Sequence, residues 1–354
     1  MKKNFKNKMC RMTAVAVTLC MTLGMVAGCG AENTPANGET NISAVTTETQ
    51  TTETVATSET TAPVATEEPA ATAEPTAAPV QATLPELTET SVYSGTPDTS
   101  WFTGSEAEYT LTTADQLMGF QQLRVDGNTF EGVTIKLAAN MTINEGTVED
   151  LKANAETTYK WAGIPSTTEF LGTFDGQGAV ISGVHMQLAS AAKKGMFGTL
   201  GENAAIKNLV LDNSYFVGPT EADKVDFGAI AGGVTGKNVV ISNVINNAVI
   251  EAGTGANLGN VGGFIGGITA EVSVTFENCA FGGSVTTNGE NAGGFIGYLS
   301  FSKAEIIMNN CKNEGTITAA ANAGDFIGWA KKYTTLTTEG CTGLGTLIGK
   351  DGNE

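Results

Sequence analysis

The sequence predicts an all-β fold: a right-handed parallel β-helix with an N-terminal capping α-helix, preceded by a disordered linker. Three observations carry this reading. Five glycine-framed blocks recur in the C-terminal half: Gly195-Met-Phe-Gly198, Gly228-Ala-Ile-Ala-Gly232, Gly262-Gly-Phe-Ile-Gly266, Gly293-Gly-Phe-Ile-Gly297 and Gly324-Asp-Phe-Ile-Gly328. Their closing glycines lie 34, 34, 31 and 31 residues apart, and a fixed period of roughly 20–50 residues is the signature of a solenoid. Each repeat holds short apolar or β-branched runs separated by Gly, Asn, Thr and Ser, which read as strands. No stretch of it has the period of a long helix.

The N-terminus sets the address. Lys2, Lys3, Lys6, Lys8 and Arg11 form a basic region, and Met12 to Val26 is an apolar stretch short for a spanning helix. It ends in Val26-Ala27-Gly28-Cys29, which resembles the lipobox of bacterial lipoproteins. The resemblance implies that residues 1–28 are a signal peptide and that the Cys29 thiol carries diacylglycerol. An ordinary secretory signal with a chance Cys is the alternative. Two acyl chains anchor stably where one is marginal.

Residues 29–100 are rich in Thr, Ala, Glu and Pro, with no Lys or Arg. Such a tract cannot bury enough apolar surface to fold, and it reads as a disordered stalk. As a flexible coil it would span roughly 50 Å, and in polyproline geometry roughly 200 Å.

The β-helix domain is expected over 101–354. A solenoid has raw strand edges at both ends and must cover them. Thr113-Ala-Asp-Gln116 has the form of a capping box, and Ala114, Leu117, Met118 and Leu123 supply an apolar side. The helix should stop at Asp126-Gly127. Arg124 falls on it. At the other end, Lys331, Lys332 and the acidic tail are candidates for covering the last edge, as is another molecule.

Within the repeat, the runs Ile206-Lys-Asn-Leu209, Ile241-Ser-Asn-Val244, Phe276-Glu-Asn-Cys279, Met308-Asn-Asn-Cys311 and, more weakly, Thr338-Glu-Gly-Cys341 alternate with the glycine blocks. A third run follows, as in Ala248-Val-Ile250, Ser284-Val-Thr286 and Thr316-Ile-Thr318. Three strands per repeat predict one turn of a parallel β-helix, with equivalent residues stacked about 4.8 Å apart. Phe264, Phe295 and Phe326 should form one ladder, and Ile265, Ile296 and Ile327 another. Asn208, Asn243, Asn278 and Asn310 suit a bend, since Asn tolerates left-handed backbone and its amides bond along a stack. Glu145–Glu169 breaks the pattern and reads as an insertion.

This pattern resembles the GLUG-type repeat of β-helical bacterial surface proteins, a Gly-Gly-apolar-apolar-Gly block followed by Asn-Cys and then Gly-x-Val or Gly-x-Ile. Gly262-Gly-Phe-Ile-Gly266 through Asn278-Cys279 and Gly283-Ser-Val285 carries it, as does Gly293-Gly-Phe-Ile-Gly297 through Asn310-Cys311 and Gly315-Thr-Ile317. Tyr109–Leu117 and Phe170–Gly183 look like the usual start of such a helix. The resemblance covers roughly residues 105–350. It implies a surface-displayed scaffold and speaks weakly to activity.

Each candidate site has a plainer reading beside it. Cys279, Cys311 and Cys341 recur with the turn and read as stacked core thiols, since zinc would need a fourth ligand. His185, the only His, reads as a surface or turn residue. Asp175, in Phe174-Asp-Gly-Gln-Gly178, reads as a turn residue or as a calcium or sugar contact. Tyr298 and Trp329 follow the Phe-Ile-Gly block and should stack. If the Phe ladder faces inward they point outward as a platform for a sugar ring; otherwise they are core or corner residues.

Charge and chemistry narrow the function. The chain has 19 basic and 37 acidic residues, a net charge of −18. Cleavage before Cys29 leaves 14 basic against 37 acidic. This excludes a nucleic-acid footprint, and acidity of this order supports solubility. Parallel β-helices include pectate lyases and polygalacturonase-like hydrolases, which need a paired set of carboxylates or a basic group beside a uronate. Here the acids Asp212, Asp226, Glu251, Glu277, Glu290 and Asp325 are scattered singly, and Arg124 is the only Arg of the domain. No catalytic set, metal site or cofactor is expected. The expected function is a non-catalytic lipoprotein on the extracellular face of the cell membrane. It would use its β-helix for adhesion or carbohydrate binding, with a polysaccharide or a host or cell-surface glycoprotein as partner. The alternatives are a polysaccharide-active lyase or glycoside hydrolase on the same scaffold, and a structural envelope module.

Overall fold

The computed structural model describes residues 86–188, 194–218, 226–252, 259–301, 303–332 and 334–349. Cys29, the signal peptide and most of the 29–100 tract lie outside these residues. The described residues wind as a parallel β-solenoid of about five turns. Each full turn passes through four sheets. One circuit runs Asp226–Gly228 (sheet C), Ala231–Val234 (sheet D), Val239–Asn246 (sheet A) and Val249–Ala252 (sheet B). The next turn lies parallel to it in register, with Ile241 opposite Phe276, Ile250 opposite Val285 and Val261 opposite Phe227.

The three strands expected per turn are four because the glycine block is not one strand. Gly262 closes the strand Asn260–Gly262, Gly263 and Phe264 turn the corner, and Ile265 opens the strand Ile265–Ile268. A Cβ on Gly263 would collide with the Gly294 carbonyl of the next turn and with the Phe281 ring. The paired glycines therefore let two strands fold sharply against each other. The corner also turns both apolar residues inward: Phe264, Phe295, Ile265 and Ile296 are all fully buried. Phe264 and Phe295 stack at 4.7 Å with planes 14° apart, and Phe326 continues the row at 5.3 Å. Each such ring or aliphatic group contributes about 1.5–3 kcal/mol by burial.

Sheet A bends at a fixed point. Asn208, Asn243, Asn278 and Asn310 all have φ between 52° and 56°, the left-handed region that Asn tolerates better than most residues. Cys279 and Cys311 follow the bend, buried, with Cys341 partly exposed in the same row; all three are free thiols.

The N-terminal end is covered. Helix α1 (Ala114–Val125) buries Ala114, Leu117, Met118 and Phe120 against the first turn, with Leu123 half-buried. Its cap is not a closed capping box. The Thr113 hydroxyl accepts from the Gln116 N–H, while the Gln116 side chain accepts from Thr112 N–H rather than Thr113. Asp126 ends the helix and Gly127 takes φ +101°. The fold also starts upstream of the boundary set at 100 by composition. Thr90–Val92 pairs in parallel with Asn140–Thr142, and Ser94 and Asp98 bond to Asp115 on the helix. Three residues of strand register are too short to stand out from a Thr-rich tract. The insertion holds a six-residue helix, α2 (Val148–Ala153), whose Val148 and Leu151 pack on Tyr215 of sheet B.

Candidate functional site

The aromatic pair sits on sheet D. Tyr298 lies in Ile296–Leu299 and Trp329 in Ile327–Ala330, directly opposite each other in register. Leu299 is fully buried, so alternation along the strand turns Tyr298 the other way. The rings stack with centroids 4.8 Å apart and planes 20° apart, and both are half-buried. They cover one another face to face, so their common rim and the far face of Trp329 are the surfaces left to a ligand. Ile327–Ala330 is the edge strand of sheet D, with no strand beyond it among the described residues.

The same ladder position one and two turns earlier is Gly267 and Gly233. The rings therefore rise from a glycine floor. At Gly267 the space a side chain would fill is taken by the Asp226 carboxylate. Asp226 heads a row of amides: Asn260 donates to Asp226 at 2.7 Å, Asn291 to Asn260 at 2.8 Å and Asn322 to Asn291 at 2.8 Å. The ring position thus adjoins a row of polarised amides.

A second row runs along the bend of sheet A. Asn310 donates to Asn278 (3.3 Å), Asn278 to Asn243 (3.1 Å), Asn243 to Asn208 (2.9 Å) and Asn208 to Asp175 (2.8 Å). An amide both donates and accepts, whereas a carboxylate only accepts, so an Asp is the natural first rung. Asp175 is not in a connecting turn. It lies within the strand Thr173–Ser182 at a bulge, almost fully buried. Burial pushes its carboxyl up, but the Asn208 amide, the Gln177 amide and Lys207 at 3.3 Å outweigh it and hold it below the usual range. The row ends at Gly340, which keeps φ +63° without a side chain. Both rows were legible as periods: stepping the Asn series back one turn lands on Asp175 in one case and Asp226 in the other.

His185 is a correction. It is fully buried on sheet B, not at the surface, because the insertion covers it. Its Nδ1 meets the Thr158 hydroxyl at 2.7 Å and Lys160 Nζ at 3.3 Å, while Nε2 has no partner. Burial, then Lys160, pulls its pKa down to about 4. Beside it, Tyr215 donates to Glu251 at 2.6 Å and Lys152 bonds Glu251 at 2.7 Å while lying over the Tyr215 ring. Burial and Glu251 push the Tyr215 phenol up, away from use as a base. This cluster fastens the insertion to the solenoid.

The other polar candidates have structural partners. The neighbouring Cys279 thiol, with burial, pushes the Cys311 thiol up to about 12, which makes it a poor nucleophile. Asp325 accepts from Asn313 and from Gly345 N–H. Among the described residues, no group of three or more His, Cys, Asp or Glu comes together to hold a metal, and no helix is long and apolar enough to cross a membrane.

Fold and site define a parallel β-solenoid that carries an aromatic stack outside its core. No family model matches the chain. A stretch of 87 residues, 24% of the chain, is 32% identical to halomucin of Haloquadratum walsbyi, of whose length the chain spans 1%. A crystal structure of a "putative immunoglobulin A1 protease" from Bacteroides ovatus superposes with a TM-score of 0.45 at 18% identity, over 69% of this chain and 78% of that one.

Proposed function

We propose that this chain is a non-catalytic surface protein whose β-helix binds glycan, held at the extracellular face of the membrane by lipid on Cys29. The observation that carries the binding role is the half-buried Tyr298–Trp329 stack beside the Asn260–Asn291–Asn322 amide row. Aromatic rings take sugar C–H faces, and aligned amides take hydroxyls. The non-catalytic reading is supported by the structural partners already found for Asp175, Asp226, Glu251, Asp325 and His185. The GLUG-type motif and the lipobox-like Val26-Ala27-Gly28-Cys29 support surface display.

A glycan array probed with the purified chain, run with a hydrolase and lyase screen on the same polysaccharides, tests it. Retention of at least one glycan without turnover is expected. Turnover of any polysaccharide would replace this reading with the enzymatic one. For the anchor, cells fed a labelled fatty acid should label the wild-type chain and not Cys29→Ala. Equal labelling of the two sinks the lipoprotein assignment.

A further inference from the structure

Sheet D carries two outward columns of side chains. Ile268 and Leu299 are fully buried and stand in one row with Ala330. Alternation therefore turns the residues before and after them to the opposite face. The first column is Gly267, Tyr298 and Trp329. The second, two residues further on, is Thr269, Ser300 and Lys331. The ladder reaches this second column: Ser300 N–H donates to the Ile268 carbonyl at 2.9 Å and Lys331 N–H to the Leu299 carbonyl at 2.7 Å. Lys331 thus lies beside Trp329, roughly 7 Å along the strand direction.

The charge at this place is set by what surrounds it. Lys331 is exposed, and among the described residues its ammonium has no ion-pair or hydrogen-bond partner. Lys237 and Lys303, on the corresponding loops of earlier turns, both lie against Glu271. Between residues 321 and 334 the one acid is Asp325, and it accepts from Asn313 at 2.7 Å and from Gly345 N–H at 3.1 Å. Where Glu290 precedes Asn291, Ala321 precedes the aligned Asn322. Asp226, which heads the amide row, is three turns back from Asn322, roughly 14 Å at the spacing of parallel strands and beyond the reach of an unscreened charge in physiological salt. In a chain of net charge −18, the ring stack therefore has an unpaired cation beside it.

We infer that the ligand of this site is an anionic glycan, whose sugars carry a carboxylate or a sulfate. The inference rests on the glycan reading of the Tyr298–Trp329 stack and adds the charge of what the stack takes. A sugar on the common rim of the two rings can turn its anionic group to the Lys331 ammonium and its hydroxyls to Ser300. The acidic remainder of the surface disfavours such a polymer elsewhere, so the cation also fixes where the glycan sits.

Affinity gels loaded with matched polymers test this, with the purified full chain run through polygalacturonate against its carboxyl-reduced form and through dextran sulfate against dextran. At least one anionic polymer should be held tenfold or more tighter than its neutral partner, by a margin that shrinks as salt rises. A margin on polygalacturonate identifies a carboxylate ligand, and one on dextran sulfate a sulfate ligand. Lys331→Gln should cut the margin threefold or more and Lys331→Arg should keep it, both with melting curves close to wild type. Neutral polymers held as tightly as the anionic ones would overturn the inference. So would a margin undiminished in folded Lys331→Gln, or no retention of either anionic polymer. Neutral hits on the glycan array would in those cases keep the glycan reading of the stack, whereas an empty array would remove both.

Discussion

Asn243 shows how one residue serves two needs. Its backbone sits at φ 53°, and its amide links Asn208 to Asn278. Two substitutions separate these contributions. Asn243→Gly keeps the left-handed backbone and loses the amide, and should cost about 1–3 kcal/mol for two interrupted hydrogen bonds. Asn243→Ala also strains the backbone and should cost about 1–2 kcal/mol more. Urea midpoints of the two variants check the order; equal midpoints would mean that the left-handed bend adds no strain of its own. His185 gives a pH dependence of definite sign. Its pKa falls from about 6.5 in the unfolded chain to about 4 in the folded one. Between these values the unfolded state binds the extra proton, so acid favours unfolding. Stability should be complete above about pH 6.5 and fall by up to about 3 kcal/mol as pH drops to 4. The groups facing His185 are Lys160, Thr158 and the Tyr215–Glu251–Lys152 set. Burial pushes the Glu251 carboxyl up, but Lys152 and the Tyr215 hydroxyl outweigh it and hold it below its ordinary range. His185→Gln should flatten the slope between pH 4 and 6.5, and an unchanged slope would assign it elsewhere.

At the scale of elements, α1 does more than lie over an edge. Arg124 projects from it, fully buried, and its guanidinium donates to the carbonyls of Thr168, Glu169, Phe197 and Asn128. It has no carboxylate partner among these, and burial brings its pKa down to about 10. Asn128 lies just past the helix, Thr168 and Glu169 at the end of the insertion and Phe197 in the first glycine block, so one side chain ties cap, insertion and solenoid together. Arg124→Met removes all four donors and should cost about 3–5 kcal/mol, read as the shift in denaturation midpoint. A loss under about 1 kcal/mol would show that water replaces the guanidinium. The contrast with the repeats explains what the sequence could reveal. The Phe, Ile, Asn and Cys ladders were legible because each recurs with the turn, and a repeated position has a fixed place in space. The strand break inside Gly262-Gly-Phe-Ile-Gly266 was hidden, because two strands sharing a two-residue corner look like one apolar run. Arg124, His185 and the strand at Thr90–Val92 were hidden for another reason: each meets partners that occur once, 44 to 73 residues away for Arg124 Nη2.

For the whole molecule, regular turns turn composition into layout. Polar residues that look like candidate ligands in one dimension become rows of amides and thiols satisfied by their own neighbours. Charged residues do likewise. Lys237 bonds Glu271, and Lys303 lies 3.7 Å from the same carboxylate on successive turns. Exposed pairs of this kind contribute little to stability. What the solenoid leaves outside its core is the ring stack, placed where two earlier turns carry only glycine. If glycan binding belongs to those rings, it must go when they go. The decisive measurement is the affinity of Tyr298→Ala/Trp329→Ala for a polysaccharide that the wild-type chain retains, taken with its melting curve. A loss of tenfold or more in affinity is predicted, about 1.4 kcal/mol or more, with a melting transition close to wild type. Undiminished affinity in a folded double variant would contradict the assignment of binding to the stack.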